Sequence, residues 1–130
     1  MKTTLTREIV IRAIHHLENS ALTPEANRNL YGRCYGRHGH DYHVLVTVRG
    51  SVDPMSGWVI SRDELDHILQ REIIAPYDGA DLNLHFPNTA CEAVAFEFYQ
   101  RLRPFLPGLV KIGVQETRKN YFEYPSAALP

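Results

Sequence analysis

The sequence has few cysteines and no long apolar segment. Only 2 of its 130 residues are cysteines, which excludes the disulfide framework that supports many small secreted domains. No apolar run approaches the length of about 18 residues that a membrane-spanning helix needs. The first residues, MKTTLTREIV, lack the apolar region of a signal peptide. These features predict a cytoplasmic protein with no membrane partner.

The sequence also lacks an excess of charge of one sign. Its 14 Lys and Arg residues and 15 Asp and Glu residues give a net charge of −1, so no nucleic-acid partner is expected. A content of 44% hydrophobic and 22% charged residues is that of an ordinary globular protein. The length fits one domain, over residues 1–130. Seven histidines are many for this length, and they indicate metal binding or acid–base chemistry.

The hydrophobic pattern predicts an α+β fold. Alternation with a period of two predicts strands at 8–17, 38–50, 110–116 and 120–124, with a short strand start at 57–60. Hydrophobic residues at helical spacing follow two capping-box patterns. They predict one helix from Ser61 to Pro76 and a second from Thr89 to Pro104, besides a helical turn at 24–31 and a loose tail at 125–130. This order favours a four-stranded antiparallel sheet with two helices packed on one face. Pairing with other subunits would cover the two sheet edges.

Two histidines stand one residue apart at the start of the second predicted strand. His38 and His40 share a face, because alternate residues of a strand point to the same side, and the valines in phase with them mark this face as buried. His15 lies in phase with the apolar face of the first strand. If the strands pair, three imidazoles converge, as in many catalytic zinc sites. In the alternative interpretation, His38 and His40 are surface histidines and His15 is a hydrogen-bonded core residue.

A cysteine and a glutamate extend the candidate site. Cys34 lies in the turn before His38, where a thiolate would act as a general base. The alternative is a small hydrophobic side chain, which is the better interpretation of Cys91 on the apolar stripe of the second helix. Glu116 ends an aliphatic inward face, where a carboxylate is costly unless it is paired. It is suited to accept hydrogen bonds from the guanidine-like edge of a pterin or guanine, unless the strand frays into solvent there.

With these residues assembled, the chain resembles the 6-pyruvoyltetrahydropterin synthase and 6-carboxytetrahydropterin synthase family. The resemblance extends from about residue 7 to residue 124, and it is carried by AIHHL, LYGRCYGRHGHDY, VTVRG, DPMSGWVI, YDGADLN, TACEAVA and VQET. These motifs are specific only in combination. The resemblance implies the tunnelling fold, in which trimers close their sheets into a barrel. Two trimers then stack into a homohexamer with active sites at the subunit interfaces.

The resemblance also implies a zinc-dependent lyase. Its substrate would be the small molecule 7,8-dihydroneopterin triphosphate, and its product 6-pyruvoyl- or 6-carboxy-tetrahydropterin, for tetrahydropterin or queuosine biosynthesis. The position of Cys34 resembles the carboxy-forming branch, whereas LTPEANRNLYGRC resembles the pyruvoyl branch, so the branch stays open. The implied roles are zinc ligands at His15, His38 and His40, a catalytic base at Cys34, a relay aspartate at Asp78, and substrate contacts at Glu116 and Glu92. Arg37 is expected to contact the triphosphate, because a guanidinium group suits phosphate oxygens, and the alternative is a solvated loop residue.

One position departs from the family pattern. The family motif L-D-H-x-x-L-N provides an aspartate and a histidine that relay protons beside the cysteine, but here Gly79 follows Asp78. Glycine cannot transfer a proton. His85, His43 and His16 are candidates to replace the histidine, but their spacing in the sequence supports none of them. The departure favours, as an alternative function, a divergent member that cleaves or only binds a related pterin.

Overall fold

Four strands form one antiparallel sheet in the order β1–β2–β3–β4. The computed structural model describes residues 1–126, so most of the predicted loose tail lies outside the described residues. The strands are β1 (Lys2–His15), β2 (His38–Ser51), β3 (Leu109–Thr117) and β4 (Asn120–Tyr124). β1 and β2 pair along their full length, from Lys2 opposite Ser51 to His15 opposite His38. This register brings the end of β1 beside the start of β2, as the site predicted from the sequence requires.

The helices follow β1 and β2. They are α1 (Pro24–Tyr31), α2 (Arg62–Leu69), α3 (Ala75–Tyr77) and α4 (Cys91–Leu102), with a π-helical segment at Gln70–Ile74 and 3₁₀ turns at Gly32–Tyr35 and Leu82–Leu84. The predicted cap at Ser61 is present, since its hydroxyl accepts a hydrogen bond from the Glu64 N–H at 3.3 Å. No helix of the described residues is long and apolar enough to span a bilayer.

The hydrophobic core lies between one face of the sheet and the helices α2 and α4. The fully buried side chains include Ile11, Tyr42, Val44, Val46, Ile112 and Val114 from the strands and Leu65, Leu69, Ile73, Phe98 and Leu102 from the helical segments. Each buried aliphatic side chain contributes roughly 1.5–3 kcal/mol relative to exposure to water. The predicted α+β fold with a four-stranded antiparallel sheet is confirmed.

The first strand differs from its predicted bounds of 8–17. It begins at Lys2, because threonines with high strand propensity continue the pairing with β2 beyond the hydrophobic alternation. It ends at His15, because the next backbone N–H, that of His16, donates to the side-chain oxygen of Asn83 at 2.9 Å.

The strand start predicted at 57–60 is wrong. These residues are not extended in the sheet. They close a loop in which the N–H of Asp53 donates to the carbonyl of Trp58 at 2.9 Å. Gly57 turns the chain there with a φ of 77°. Short apolar runs of this kind are ambiguous in sequence, because a loop that packs against the core needs the same residues.

The predicted helix end at Pro76 and the predicted cap at Thr89 are also wrong. The helix continues through the π-helical segment and Pro76 to Tyr77. The residue that precedes α4 is Ala90, which offers no side-chain cap. The Thr89 hydroxyl instead donates to the backbone carbonyl of His16 at 3.0 Å. A contact between distant segments therefore replaces the local capping box.

Candidate active site

Three histidines converge at the end of the sheet where β1 and β2 meet. His15 lies opposite His38, and His40 follows on the same face of β2. The ring centroids of His15 and His38 are 4.4 Å apart, those of His38 and His40 4.8 Å, and those of His15 and His40 5.2 Å. One ligand nitrogen from each ring lies within 4.8 Å of the other two. The strand register alone therefore assembles a possible three-nitrogen metal site.

Backbone carbonyls orient two of these rings. The Nδ1 atom of His15 lies 2.8 Å from the carbonyl oxygen of Thr89, and the Nδ1 atom of His38 lies 2.7 Å from that of Gly36. A carbonyl only accepts, so each Nδ1 carries the proton and each Nε2 presents a lone pair. The Nε2 atoms of His15 and His40 are buried and have no hydrogen-bond partner among residues 1–126. Unpaired, buried nitrogens of this kind fit a bound metal ion.

Burial favours the neutral form of two of these imidazoles, those of His15 and His40. It lowers the pKa of His15 to about 4, and the neighbouring charges of His38 and His40 lower it further, against the opposing effect of the Thr89 carbonyl. Burial also lowers the pKa of His40, while the negative charge of Glu116 opposes that change. Neutral imidazole is the form that binds a metal, so the site is prepared for one near pH 7.

Glu116 extends toward the three histidines from the end of β3. Its Oε2 atom lies 3.7 Å from the Nε2 of His15 and 3.8 Å from the Nε2 of His40. This oxygen is buried and has no hydrogen-bond partner within the described residues, although the side chain as a whole is 24% exposed. The strand does not fray at this residue, since β3 continues to Thr117. The carboxylate is therefore oriented into the site and accessible to a ligand.

Cys34 and Arg37 lie on the segment between α1 and β2. Cys34 is exposed, within the 3₁₀ turn Gly32–Tyr35. Its carbonyl accepts a hydrogen bond from the Leu17 N–H at 2.7 Å, which fixes this turn beside the end of β1. Arg37 donates to Asp81 at 2.8 Å, and its side chain is 64% exposed. Both groups are accessible, but neither belongs to the three-histidine cluster.

Asp78, Gly79 and Glu92 lie outside this cluster as well. The Asp78 carboxylate accepts a hydrogen bond from the backbone N–H of Arg12 at 2.9 Å. The Gly79 N–H donates to the carbonyl of Arg12, and Gly79 has a φ of 80°. Glu92 is exposed in the first turn of α4. The structure thus brings together His15, His38, His40 and Glu116, and it holds the other predicted residues in separate contacts.

Three residues near the site, Thr89, Tyr42 and Cys91, were not predicted from the sequence. Thr89 acts through its carbonyl oxygen, which any residue type provides, so the sequence carried no signal for it. Tyr42 follows His38 and His40 at alternate positions of the same strand. This spacing could have predicted that its side chain lies beside theirs. Cys91 was interpreted as a core residue, and it is buried, with its thiol directed at the carbonyl of Val114 at 3.8 Å.

A cavity of about 670 Å³ lies near these residues, lined among others by His16, Tyr31, Asn83 and Phe86. Its lining contains none of the three histidines and not Glu116. The candidate active site is therefore identified by its converging, unpaired ligand atoms and not by the largest cavity volume given above.

Comparisons with known proteins agree with the fold and the motifs. The family model of 6-pyruvoyl tetrahydropterin synthase matches residues 4–127. Human 6-pyruvoyl tetrahydrobiopterin synthase is 34% identical over 129 residues, which cover 92% of this chain and 89% of the human protein. The corresponding protein of Dictyostelium discoideum is 29% identical over 126 residues, which cover 92% of this chain and 93% of that protein.

Solved structures give the same result. The structure of Caenorhabditis elegans 6-pyruvoyl tetrahydropterin synthase has a TM-score of 0.89 and 27% identity, over 98% of this chain and 97% of that one. The Plasmodium vivax enzyme, at 14% identity, shares the fold with a TM-score of 0.68, over 95% of this chain and 96% of that one. The chain therefore belongs to the 6-pyruvoyl tetrahydropterin synthase family, which confirms the resemblance seen in its sequence and its classification as a lyase of the tetrahydropterin synthase type.

Proposed function

We propose that this chain is a zinc-dependent lyase that converts 7,8-dihydroneopterin triphosphate into 6-pyruvoyl- or 6-carboxy-tetrahydropterin. The convergence of three imidazoles and one carboxylate, with unpaired Nε2 and Oε2 atoms facing each other, is the observation that carries the proposal. The names of the curated relatives, 6-pyruvoyl tetrahydrobiopterin synthases, support the reaction class.

The donor set fits zinc. Three neutral imidazoles with an open position are typical of catalytic zinc. His15, His38 and His40 would hold the ion, and two of these rings are already oriented by backbone carbonyls. When bound, zinc supplies Lewis-acid chemistry that acidifies the hydroxyl groups of the substrate side chain.

Glu116 is suited to anchor the pterin ring. An ionised carboxylate accepts two parallel N–H···O bonds, and the pyrimidine edge of a pterin offers such a pair of donors. The carboxylate is partly exposed and lies beside the histidines. A ligand bound to Glu116 therefore has its side chain within reach of the metal ligands.

Cys34 is the proposed base. Its thiol is exposed on a turn fixed beside the end of β1, so it is accessible to a substrate side chain. As a thiolate it would accept a proton from a side-chain carbon of the substrate. Arg37 is suited to contact the triphosphate, because a guanidinium group matches phosphate oxygens and most of this side chain is exposed. Glu92 is proposed as a further substrate contact.

Gly79 favours a second candidate function. The neighbouring Asp78 is oriented by the backbone of Arg12 and needs no histidine for this, but Gly79 provides no acid–base group. The loss of such a group typically costs about 100- to 10,000-fold in rate. A divergent enzyme that cleaves a related pterin, or a protein that only binds one, is therefore the alternative.

The assembly is proposed to be a homohexamer in the cytoplasm. A single chain leaves one edge of β1 largely unpaired, with the segment 78–81 covering only its end, and β4 forms the other edge. Strand pairing between subunits would cover both edges and would bring residues such as Asp78 toward the site of a neighbour.

The test is a product assay. Zinc-loaded protein is incubated with 7,8-dihydroneopterin triphosphate, and the products are identified by mass spectrometry, with Cys34→Ala in parallel. We expect a 6-pyruvoyl or 6-carboxy product whose formation falls at least about 100-fold in the variant. Intact substrate, despite stoichiometric zinc and measurable pterin binding, would overturn the lyase and favour a binding protein.

A further inference from the structure

Tyr42 is the largest of the fully buried side chains, and it lies directly beside the candidate site. β2 carries it two residues after His40, on the same face. Its ring meets those of His40 and His15 edge-on, at centroid distances of 5.6 and 5.8 Å. The side chain is 0% exposed, and its hydroxyl oxygen has no hydrogen-bond partner in the part of the chain that the structure describes. A buried hydroxyl without a partner is costly, so this position calls for an explanation.

Glu116 is the acidic residue opposite Tyr42 in the sheet. The pairing of β2 with β3 ends with His43 opposite Gln115, so Tyr42 and Glu116 are the next residues on the two strands and share a face. Burial raises the pKa of Tyr42, and the negative charge of Glu116 raises it further. The same carboxylate adds to the effect of burial in raising the pKa of Cys91 to about 12. The strand register and the contact of Cys91 with Val114 therefore place Tyr42, Glu116 and Cys91 in one cluster, in which Tyr42 and Cys91 are buried and the Glu116 side chain is 24% exposed.

Glu116 is the acceptor that this cluster has available. The Cys91 thiol already points at the carbonyl of Val114. The unpaired nitrogens of His15 and His40 are the atoms assigned to the metal. Oε2 of Glu116 is buried, has no partner among the described residues and is an acceptor, whereas the phenol can donate. The two unpaired groups are thus complementary.

We propose that Tyr42 is a positioning residue for ligand binding at this site. When a ligand is bound, its hydroxyl donates a hydrogen bond to the Glu116 carboxylate, directly or through one buried water. This bond fixes the carboxylate in the orientation that accepts N–H groups from an amino-substituted heterocycle. Phenol-to-carboxylate bonds are short and directional, and they leave lone pairs of Glu116 free for the ligand. The inference rests on the proposed function, in which Glu116 anchors the pterin.

Tyr42→Phe tests this inference, because it removes the hydroxyl and keeps the ring. The ligand used is neopterin, which carries the pterin ring edge but no triphosphate, and its fluorescence reports binding to the zinc-loaded protein. We expect the Kd of neopterin to rise about tenfold, in line with a hydrogen bond to a charged group. Zinc content per chain should not change. In turnover, KM should rise by a similar factor while kcat stays nearly constant.

Two further variants separate positioning from a structural effect. Tyr77→Phe alters another buried tyrosine, which packs against Phe86 and Phe98, and it should leave the Kd of neopterin unchanged. Adding Tyr42→Phe to Glu116→Gln should not weaken binding beyond Glu116→Gln alone, because the hydroxyl acts through the carboxylate.

The outcomes are distinguishable. An equal Kd for the wild type and Tyr42→Phe would overturn the role of Tyr42 and leave the proposed lyase intact. Additive effects of Tyr42→Phe and Glu116→Gln would also overturn it. Tyr42-dependent binding of neopterin without any turnover would support the role of Tyr42 and contradict the lyase. A wild type that binds zinc but no neopterin would overturn the role of Tyr42, and the product assay with the triphosphate substrate would then decide the lyase separately.

Discussion

At the scale of single residues, Gly79 is adapted to its backbone conformation. Its φ of 80° lies in the left-handed region, and its N–H donates to the carbonyl of Arg12. A side chain at this φ is strained even though no atom would obstruct a Cβ there. The position at which the family resemblance implies a relay histidine therefore lies in a turn that favours glycine.

Gly79→His should lower the free energy of unfolding. The left-handed conformation costs a side-chain-bearing residue about 1–2 kcal/mol, and urea unfolding measures this loss. Gly36→Ala is the matched control, because Gly36 has a φ of −77° and its Cβ would meet the carbonyl oxygen of Arg33 at an ordinary 3.7 Å. The control should change stability by less than about 0.5 kcal/mol. Equal stability of Gly79→His and the wild type would contradict the strain.

The residues of the site divide into those that alternation predicts and those that it does not. His15, His38, His40 and Glu116 were predictable, because strand periodicity fixes which side chains share a face. The carbonyl of Thr89 was not, because it reaches the Nδ1 of His15 across 74 positions of sequence. Partners that act through the backbone carry no signature in residue type.

At the scale of secondary structure, the helix around Pro76 is maintained by a neighbouring helix. Proline has no N–H, so the carbonyl of Glu72, four residues earlier, loses its helical donor. The Nε–H of Arg101 on α4 donates to that carbonyl at 2.8 Å, and the π-helical segment precedes the proline. A local rule that ends helices at proline cannot include this contact, which explains the wrong prediction at Pro76.

Arg101→Ala should therefore destabilise the protein. It removes the side-chain hydrogen bond to the carbonyl of Glu72 and a guanidinium that lies 5.4 Å from the ring centre of Tyr77. We expect a loss of about 1–3 kcal/mol in the free energy of unfolding by urea denaturation. Arg103→Ala, at an exposed position just after α4, should cost less than about 0.5 kcal/mol. Equal effects of the two variants would contradict the role of Arg101.

At the scale of the whole molecule, the helices of residues 1–126 cover one face of the sheet. Its other face carries paired polar groups, such as His43 with Glu8 at 2.6 Å and Lys111 with Glu123 at 2.8 Å. Such a face suits water or the polar interior of a barrel. The alternation of residues predicted a sheet with one apolar and one polar face. The proposed pairing of its edges depends on other chains, so the residue pattern of one sequence does not specify it.

The proposed hexamer predicts a mass in solution about six times the 14.9 kDa of one chain. Size-exclusion chromatography with light scattering measures it. A trimer would mean that the sheets close into a barrel without stacking. A monomer of 14.9 kDa would contradict the pairing of sheet edges and the interfacial active site together.

The central claim is that His15, His38 and His40 form a metal site, and zinc stoichiometry tests it most directly. The protein is loaded with zinc, freed of loosely bound ions by gel filtration, and measured by plasma mass spectrometry with two variants. His38→Ala removes a proposed ligand, whereas His43→Ala removes a histidine of the same strand on the opposite face, where it pairs with Glu8. We predict one zinc ion per chain in the wild type and in His43→Ala, and a large loss in His38→Ala. Equal zinc content in His38→Ala and His43→Ala would contradict the account.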